Sequence, residues 1–313
     1  MGRLTYRASA YEVQVPASSA NLGPGFDCFG LALELRDRYI AQVLDEKTLD
    51  IDVAGEGADD VPRDHKNLIV KAMYKGFEFL GGKPNGIALR SLNNIPHNRG
   101  LGSSAAAIVG GLALARALVV GAADRMSDVD LLSLATEMEG HPDNVSASIY
   151  GGATFAWQGV PGNEFAEAIK LPISGRISAV AFIPESELAT SKARKMLPEN
   201  IPHADALQNS IRSAMLTQAL TTRPDLLLPA TQDFLHQSYR ESAMPKSISL
   251  MNKLRAAGVP AFISGAGPAV LAFRLDANID NENELVDLAR VAGGGFKVEA
   301  MEIAQTGFQV ATV

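Results

Sequence analysis

Apolar and polar residues alternate along YEVQV (11–15), a period of two that predicts a strand with one buried face. RYIAQVL (38–44) and TLDIDVAGEG (48–57) continue the β pattern. The period then changes. In HKNLIVKAMYKGFEFLGG (65–82), Leu68, Ile69, Ala72, Met73, Phe77 and Leu80 recur in steps of three and four. That predicts an amphipathic helix, ended by Gly81 and Gly82. A strand, GIALRSL (86–92), precedes a long Ala-rich stretch at 105–123 that reads as a buried helix. Ser127 is placed to cap a further helix over 128–139. NVSASIYGGATFAW (144–157) reads as helix, turn and strand.

QGVPGNEFAEAIKLPISG (158–175) carries Gly and Pro and breaks the periodicity, which suggests a boundary. Beyond it the pattern predicts a strand over ISAVAFIP (177–184) and helices over 204–220, 224–238 and 246–257. A strand, a Gly-Ala-Gly-Pro turn and another apolar run follow in FISGAGPAVLAF (262–273), then a closing helix and strand. Strands and helices mixed in both halves predict an α+β fold, divided into residues 1–160 and 161–313.

Composition narrows the function classes. Hydrophobic residues make up 47% and charged residues 20% of 313 positions, ordinary for a globular protein. A net charge of −7 argues against broad nucleic-acid binding, which needs a basic surface. The 105–123 stretch is long enough to suggest a membrane span, but it is rich in Ala and Gly and Arg116 lies at its middle. No signal segment opens the chain, so a cytoplasmic protein without a membrane partner is expected. A single cysteine, Cys28, excludes an intramolecular disulfide and a Cys-based zinc site. It reads as a small packing residue.

Three Gly-rich segments carry the candidate chemistry. GLGSSAAA (100–107) lies between a strand and a helix. Its glycines let the backbone approach a ligand, and the helix aims free N–H groups and its positive dipole end into the loop. Such a loop suits phosphate, and Ser103 and Ser104 add hydroxyls. The second segment, PASSANLGPGFDCFGLAL (16–33), forces a tight loop through Asn21, Gly23, Pro24 and Gly25 and places Asp27 within it. The third is FISGAGPAVLAF.

In order and spacing these segments resemble the three motifs of the GHMP kinases, a family of small-molecule kinases. PASSANLGPGFD (16–27), EGHPDNVSASIYGG (139–152), TSKAR (190–194) and DFLHQSYRESAMP (233–245) are most similar to its homoserine-type branch. The resemblance spans nearly the whole chain. It implies an N-terminal domain like domain 2 of ribosomal protein S5, a C-terminal ferredoxin-like domain, and ATP bound at their junction. The chain lacks GxxxxGK[ST] and the protein-kinase signature set.

By the resemblance, Pro96, Asn98, Arg99, Gly100, Leu101, Gly102, Ser103, Ser104, Ala105 and Ala106 wrap the ATP phosphates, and Asn67 lies on the nucleoside side. Ser104 and Glu139 would hold Mg²⁺. Glu137 is a rival two residues earlier, off the same helix face, so one of the two is expected to serve. The acceptor would be L-homoserine. Arg194 and Arg240 match positions for its carboxylate, and Asn21 and Asp27 match positions for its ammonium. His141, Asn144, Thr190, Gly265 and Gly267 would complete the substrate side. Galactose- and mevalonate-type members carry an Asp general base where this chain has Asn144. The resemblance therefore implies direct in-line attack, with Asn144 orienting the hydroxyl and the phosphate finally taking the proton. Another acceptor alcohol (a sugar, mevalonate or an isoprenoid precursor) and a non-catalytic ATP-binding role stand as the alternatives. The oligomeric state is open, a homodimer being one form the sequence allows.

Overall fold

A computed structural model describes residues 4–159, 165–275, 290–291 and 295–313. Its first layer is a seven-stranded sheet. β1 (Tyr11–Ala20) and β2 (Phe29–Leu44) form a long antiparallel hairpin whose register shifts between Pro16 and Ala17. The alternation of YEVQV ends at Pro16, yet the strand runs on to Ala20, because residues 15–20 are buried on both faces. Strands covered on both faces lose the period of two. The 16–33 segment is thus the head of this hairpin, with residues 21–28 as its connection.

β3 (Leu49–Gly55) runs parallel to β4 (Gly86–Asn93), and helix α1 (Leu68–Phe79) makes the crossover that a parallel pair needs. β5 (Ala153–Trp157) pairs with the start of β2, and β6 (Glu167–Leu171) pairs with β5. β6 lies inside the 158–175 interval read as a break, so that interval also carries a strand of the first sheet. The last strand, β11 (Gln309–Thr312), returns to β1.

α2 (Ser103–Leu118), α3 (Asp128–Glu139) and α4 (Asp143–Tyr150) follow the 100–107 loop. α2 is shorter than the apolar stretch that predicted it. Val119 turns extended and bridges Tyr6, which ties the N-terminal segment to the helix end. α1 and α2 pack together, and Met73, Phe77, Leu112 and Leu114 join Val13, Leu31 and Tyr39 in one core. Ser127 caps α3 as predicted: its hydroxyl takes the Asp130 N–H while the Asp130 carboxylate takes the Ser127 N–H.

The second layer is a four-stranded antiparallel sheet of β7 (Ile177–Pro184), β8 (Ala261–Ile263), β9 (Val270–Leu275) and β10 (Phe296–Met301). Its order, β10-β7-β9-β8, is the ferredoxin-like arrangement of first, second, third and fourth strands as 4-1-3-2. A short helix α5 (Thr190–Arg194), then α6 (His203–Thr221), α7 (Leu227–Ala230) and α8 (Pro245–Ala256) lie in this half. Phe182, Ile248, Leu254, Ile263 and Val270 form its separate core.

The single helix expected over 224–238 is instead broken. A 3₁₀ turn (Pro224–Leu226) leads into α7, the chain turns, and a second 3₁₀ segment runs from Ser238 to Ala243. Asp233 is the physical cause: its carboxylate accepts from the N–H groups of Leu235, His236 and Gln237, so a new turn starts there. The closing helix expected between FISGAGPAVLAF and the last strand falls mainly on residues outside the described ones, which leave out 276–289 and 292–294.

The two layers meet at the three Gly-rich segments. Ser264 Oγ donates to Gly100 C=O at 2.6 Å and, its one proton so used, accepts from Ser19 Oγ at 2.8 Å. Gly265 N–H donates to Ala20 C=O at 3.1 Å, and Ala269 N–H to Arg99 C=O at 3.0 Å.

Candidate active site

The junction opens into two adjoining clefts that share Asn98, Ser103 and Ser104. The wall between them is the start of α2. Gly100 (φ +81°) and Gly102 (φ +75°) hold left-handed backbone there. A Cβ on Gly100 would stand 2.3 Å from the Ser264 carbonyl oxygen, and one on Gly102 would stand 2.2 Å from Ser18 Oγ. Both positions therefore need glycine on two counts, conformation and space. Gly102 has no side chain to cap the helix, and the first helical bond is Ala106 N–H to Gly102 C=O. The N–H groups of Ser103, Ser104 and Ala105 precede that bond at the positive end of α2, where an anion is favoured.

Ser104 Oγ donates to Glu139 Oε1 at 2.6 Å. Glu139 ends α3, so it sits at that helix's negative pole, a favourable place for a cation. Burial pushes its carboxyl above the usual range, and the Ser104 bond partly opposes this. The two residues offer oxygen donors suited to a hard divalent cation. Glu137 faces away and pairs with Lys75 at 2.7 Å.

The second cleft is lined by Asp37, Tyr39, Val61, Asn67, Leu68 and Asn93, among others. Asn67 caps α1, its amide oxygen accepting from Ile69 and Val70 N–H, and it reaches the cleft from that position.

The first cleft gathers most of the acceptor-side residues read from the sequence. Asn21, Asp27, His141, Asn144, Thr190, Arg194, Arg240 and Gly265 all line it, although they come from five separate segments. Asn21 donates to Gly265 C=O at 2.9 Å and accepts from the Asp27 N–H at 3.0 Å, which stitches the first motif to the last. Both Asn21 (φ +70°) and Asp27 (φ +56°) are left-handed, a conformation that Asn and Asp adopt more readily than other side chains.

Arg194 grips Asp27 with both guanidinium arms, at 3.0 and 2.5 Å. Thr190 stands four residues before Arg194 on the same face of α5. Arg240 is 1% exposed and has no carboxylate partner within pairing distance among the described residues. Burial, with Arg194 nearby, pulls its guanidinium down to about 10.

His141 Nδ1 lies 2.5 Å from Asp143 Oδ1, which also accepts from the Asn144 N–H. Burial pulls the imidazole down, but the Asp143 bond and charge outweigh it and hold His141 above its usual value. Asn144 accepts from Ser18 Oγ at 3.0 Å, so its amide NH₂ is the group left for a ligand. Burial, with Asp143 and Asp27 nearby, pushes the Cys28 thiol up to about 12, which disfavours the nucleophilic thiolate.

Five expected residues bring no side chain to either cleft. Pro96 and Arg99 line a separate depression with Pro184 and Phe296. The Arg99 guanidinium is spent on the carbonyls of Pro184, His97 and Glu185, and so braces the two layers. Ala105 and Ala106 point their methyl groups into the core and offer the loop main chain alone. Gly267 lies behind the loop, its N–H bonded to Ser264 C=O, where a Cβ would strike Met244.

Sequence reasoning missed Phe26, Ser18 and His236. The Phe26 ring lies 5.5 Å from the Arg194 guanidinium and 5.7 Å from that of Arg240, so it braces both. Ser18 and Phe26 lie within PASSANLGPGFD and His236 within DFLHQSYRESAMP, so their segments were visible although their roles were not.

The family description "GHMP kinases N terminal domain" matches residues 67–152. The homoserine kinase of Streptomyces avermitilis is 47% identical over 305 residues, 97% of each chain. That of Streptomyces coelicolor is 50% identical over 91% of this chain and 90% of its own. A crystal structure described as homoserine kinase from Cytophaga hutchinsonii superposes with a TM-score of 0.84 at 25% identity, covering 99% of this chain and all of that one.

Proposed function

The chain belongs to the homoserine kinase branch of the GHMP kinase family, and we infer that it transfers the γ-phosphate of ATP to the hydroxyl of L-homoserine. The observation that carries the choice of acceptor is the charge set in the first cleft. A zwitterion with a carboxylate and an ammonium finds its complement in Arg194, Arg240 and Asp27, beside the N-terminus of α2. Mevalonate carries no ammonium, and galactose carries neither charge.

We assign the phosphates to the N–H groups of Ser103, Ser104 and Ala105 and the nucleoside to the second cleft beside Asn67. Ser104 and Glu139 would hold Mg²⁺, which offsets negative charge on the transferring phosphoryl group when bound. Arg194 and Arg240 bind the acceptor's carboxylate, and Arg suits it because the planar fork bonds two oxygens. Asn21 and Asp27 receive the ammonium. Asn144 donates its free amide NH₂ to the reacting hydroxyl oxygen and so fixes the direction of attack. An amide takes no proton at neutral pH, which leaves the phosphate as its final acceptor. Among the described residues no helix is long and apolar enough to cross a membrane.

The test is ATP turnover with Mg²⁺ on a panel of homoserine, mevalonate and galactose. Phosphorylation of homoserine with little turnover of the others is expected. Turnover of mevalonate or galactose without homoserine would overturn the assignment, and ATP binding without turnover of any alcohol would make the chain a non-catalytic member.

A further inference from the structure

His236 is fully buried, touches no expected ligand, and makes two hydrogen bonds whose directions fix its state. Its Nδ1 lies 3.0 Å from Arg240 Nη1. A guanidinium only donates, so Nδ1 accepts and carries no proton. Its Nε2 lies 2.8 Å from Gly23 C=O, which only accepts, so Nε2 carries the proton. The imidazole is therefore neutral and a single tautomer. Burial, with Arg240 beside it, holds the ring neutral against the opposing pull of Asp233 and Asp27. Asp233 Oδ1 stands 3.4 Å from Nε2 but already accepts from the Leu235 N–H, while Arg240 disfavours a second positive charge beside it. Phe26 stacks on the ring at 5.1 Å between centroids.

The two arginines of the cleft differ in one respect. Asp27 meets the charge of Arg194. Arg240 is instead held by neutral acceptors, His236 Nδ1 and Gly265 C=O, and its buried Nε–H has no partner. A buried charge is ordinarily paired, and an orphaned buried donor is costly. An anion in the cleft that Arg240 lines would supply the missing countercharge.

We propose that His236 is a positioning residue for the acceptor's carboxylate: as the Nε2–H tautomer it ties Arg240 to the β1–β2 connection without neutralising the guanidinium. An acidic residue at this place would bind Arg240 as firmly but would occupy the charge meant for the substrate. Rotation of the guanidinium is restrained by Nδ1, and the Nε2–H bond to Gly23 couples that orientation to the loop carrying Phe26 and Asp27. The proposal rests on the assignment of Arg240 to the homoserine carboxylate.

Three variants separate the two hydrogen bonds and the charge. His236→Asn places an amide oxygen near the Nδ1 position and keeps an acceptor for Arg240. His236→Gln places its amide near the Nε2 position and keeps only the donor to Gly23. His236→Asp keeps the acceptor and adds a negative charge. Expected are a modest rise in homoserine KM for Asn, which keeps the acceptor for Arg240 but loses the bond to Gly23, and a rise of about tenfold or more for Gln and Asp, the scale of one charge-assisted hydrogen bond. The KM for ATP should stay within about twofold in all three. Equal damage in Asn and Gln, or parallel losses in both substrates' KM values, would make His236 merely structural and overturn the proposal.

A second measurement does not depend on turnover. The ¹⁵N chemical shifts of His236 in the wild-type protein should show a pyrrole-type Nε2 and a pyridine-type Nδ1. The opposite tautomer, or a protonated ring at neutral pH, would overturn the proposal even in a fully active enzyme. Wild type that fails to phosphorylate homoserine while showing the expected tautomer would overturn the carboxylate role through the functional assignment, and leave the geometry standing.

Discussion

The phosphate side and the acceptor side of the cleft are built by different means. The phosphate side is main chain: Gly100 and Gly102 in left-handed backbone, the open start of α2, and one short side-chain pair, Ser104 with Glu139. The acceptor side is side-chain charge: Arg194, Arg240 and Asp27 brought from three distant segments and braced by Phe26 and His236. A backbone site tolerates little change at its glycines but is indifferent to the charges across the cleft. A charge site can lose one member and keep its shape. Substitutions on the two sides should therefore fail in different ways.

The largest effect is expected on the backbone side. Gly100→Ala would put a methyl carbon 2.3 Å from a carbonyl oxygen in left-handed backbone. The loop must move by about 1 Å, a displacement that costs roughly 100-fold in rate. Left-handed strain of about 1–2 kcal/mol adds roughly another tenfold. Turnover should fall by ~10³-fold for every acceptor alike, as measured by kcat/KM with homoserine and with its carboxamide. A selective loss on one acceptor would mean the glycine serves the wrong side of this comparison.

Glu139→Gln and Ser104→Ala come next. Losing an electrostatic contact to the transferring group costs ~10²–10³-fold. The loss should appear in kcat more than in ATP affinity, read by nucleotide titration beside steady-state kinetics. Glu137→Gln is the internal control, because its carboxylate faces Lys75 on the exposed side. If it proved the more damaging of the two Glu changes, the assignment of the metal ligand would be wrong.

The unequal legibility of the two sides in the sequence has the same origin. Glycine at 100 and 102 marked a backbone of special shape, and together with the two other Gly-rich segments GLGSS pointed to a phosphate loop rather than an ordinary Ser-capped turn. Arg194, Arg240 and Asp27 are ordinary surface types, and they drew attention through their family motifs. Phe26 and His236 were missed because an aromatic ring and a buried imidazole read as core until their contacts are known. In the fold, the amphipathic helix of 65–82 and the cap at Ser127 were legible from periodicity and capping. The extension of β1 to Ala20 was hidden by burial on both faces, and the break at Asp233 by a side chain that outcompetes a helix. Pro96 and Arg99 were expected at ATP through the family resemblance, but a place beside the loop in sequence does not fix the direction of a side chain, and both line a separate depression.

The acceptor side should show the smallest losses. Each Arg→Ala change removes charge-assisted hydrogen bonds worth roughly 1.5–3 kcal/mol, about 10- to 150-fold in kcat/KM for homoserine. Arg240→Ala should exceed Arg194→Ala, because Arg240 is buried from screening water and Arg194 already shares its charge with Asp27. ATP affinity should stay nearly intact in both.

The claim that this side reads charge is tested most directly by comparing kcat/KM for homoserine and for homoserine carboxamide in wild type, Arg194→Ala and Arg240→Ala. The account predicts strong discrimination against the amide in wild type and a marked collapse of that ratio in both variants. An unchanged ratio in all three proteins would contradict it and remove both arginines from the carboxylate.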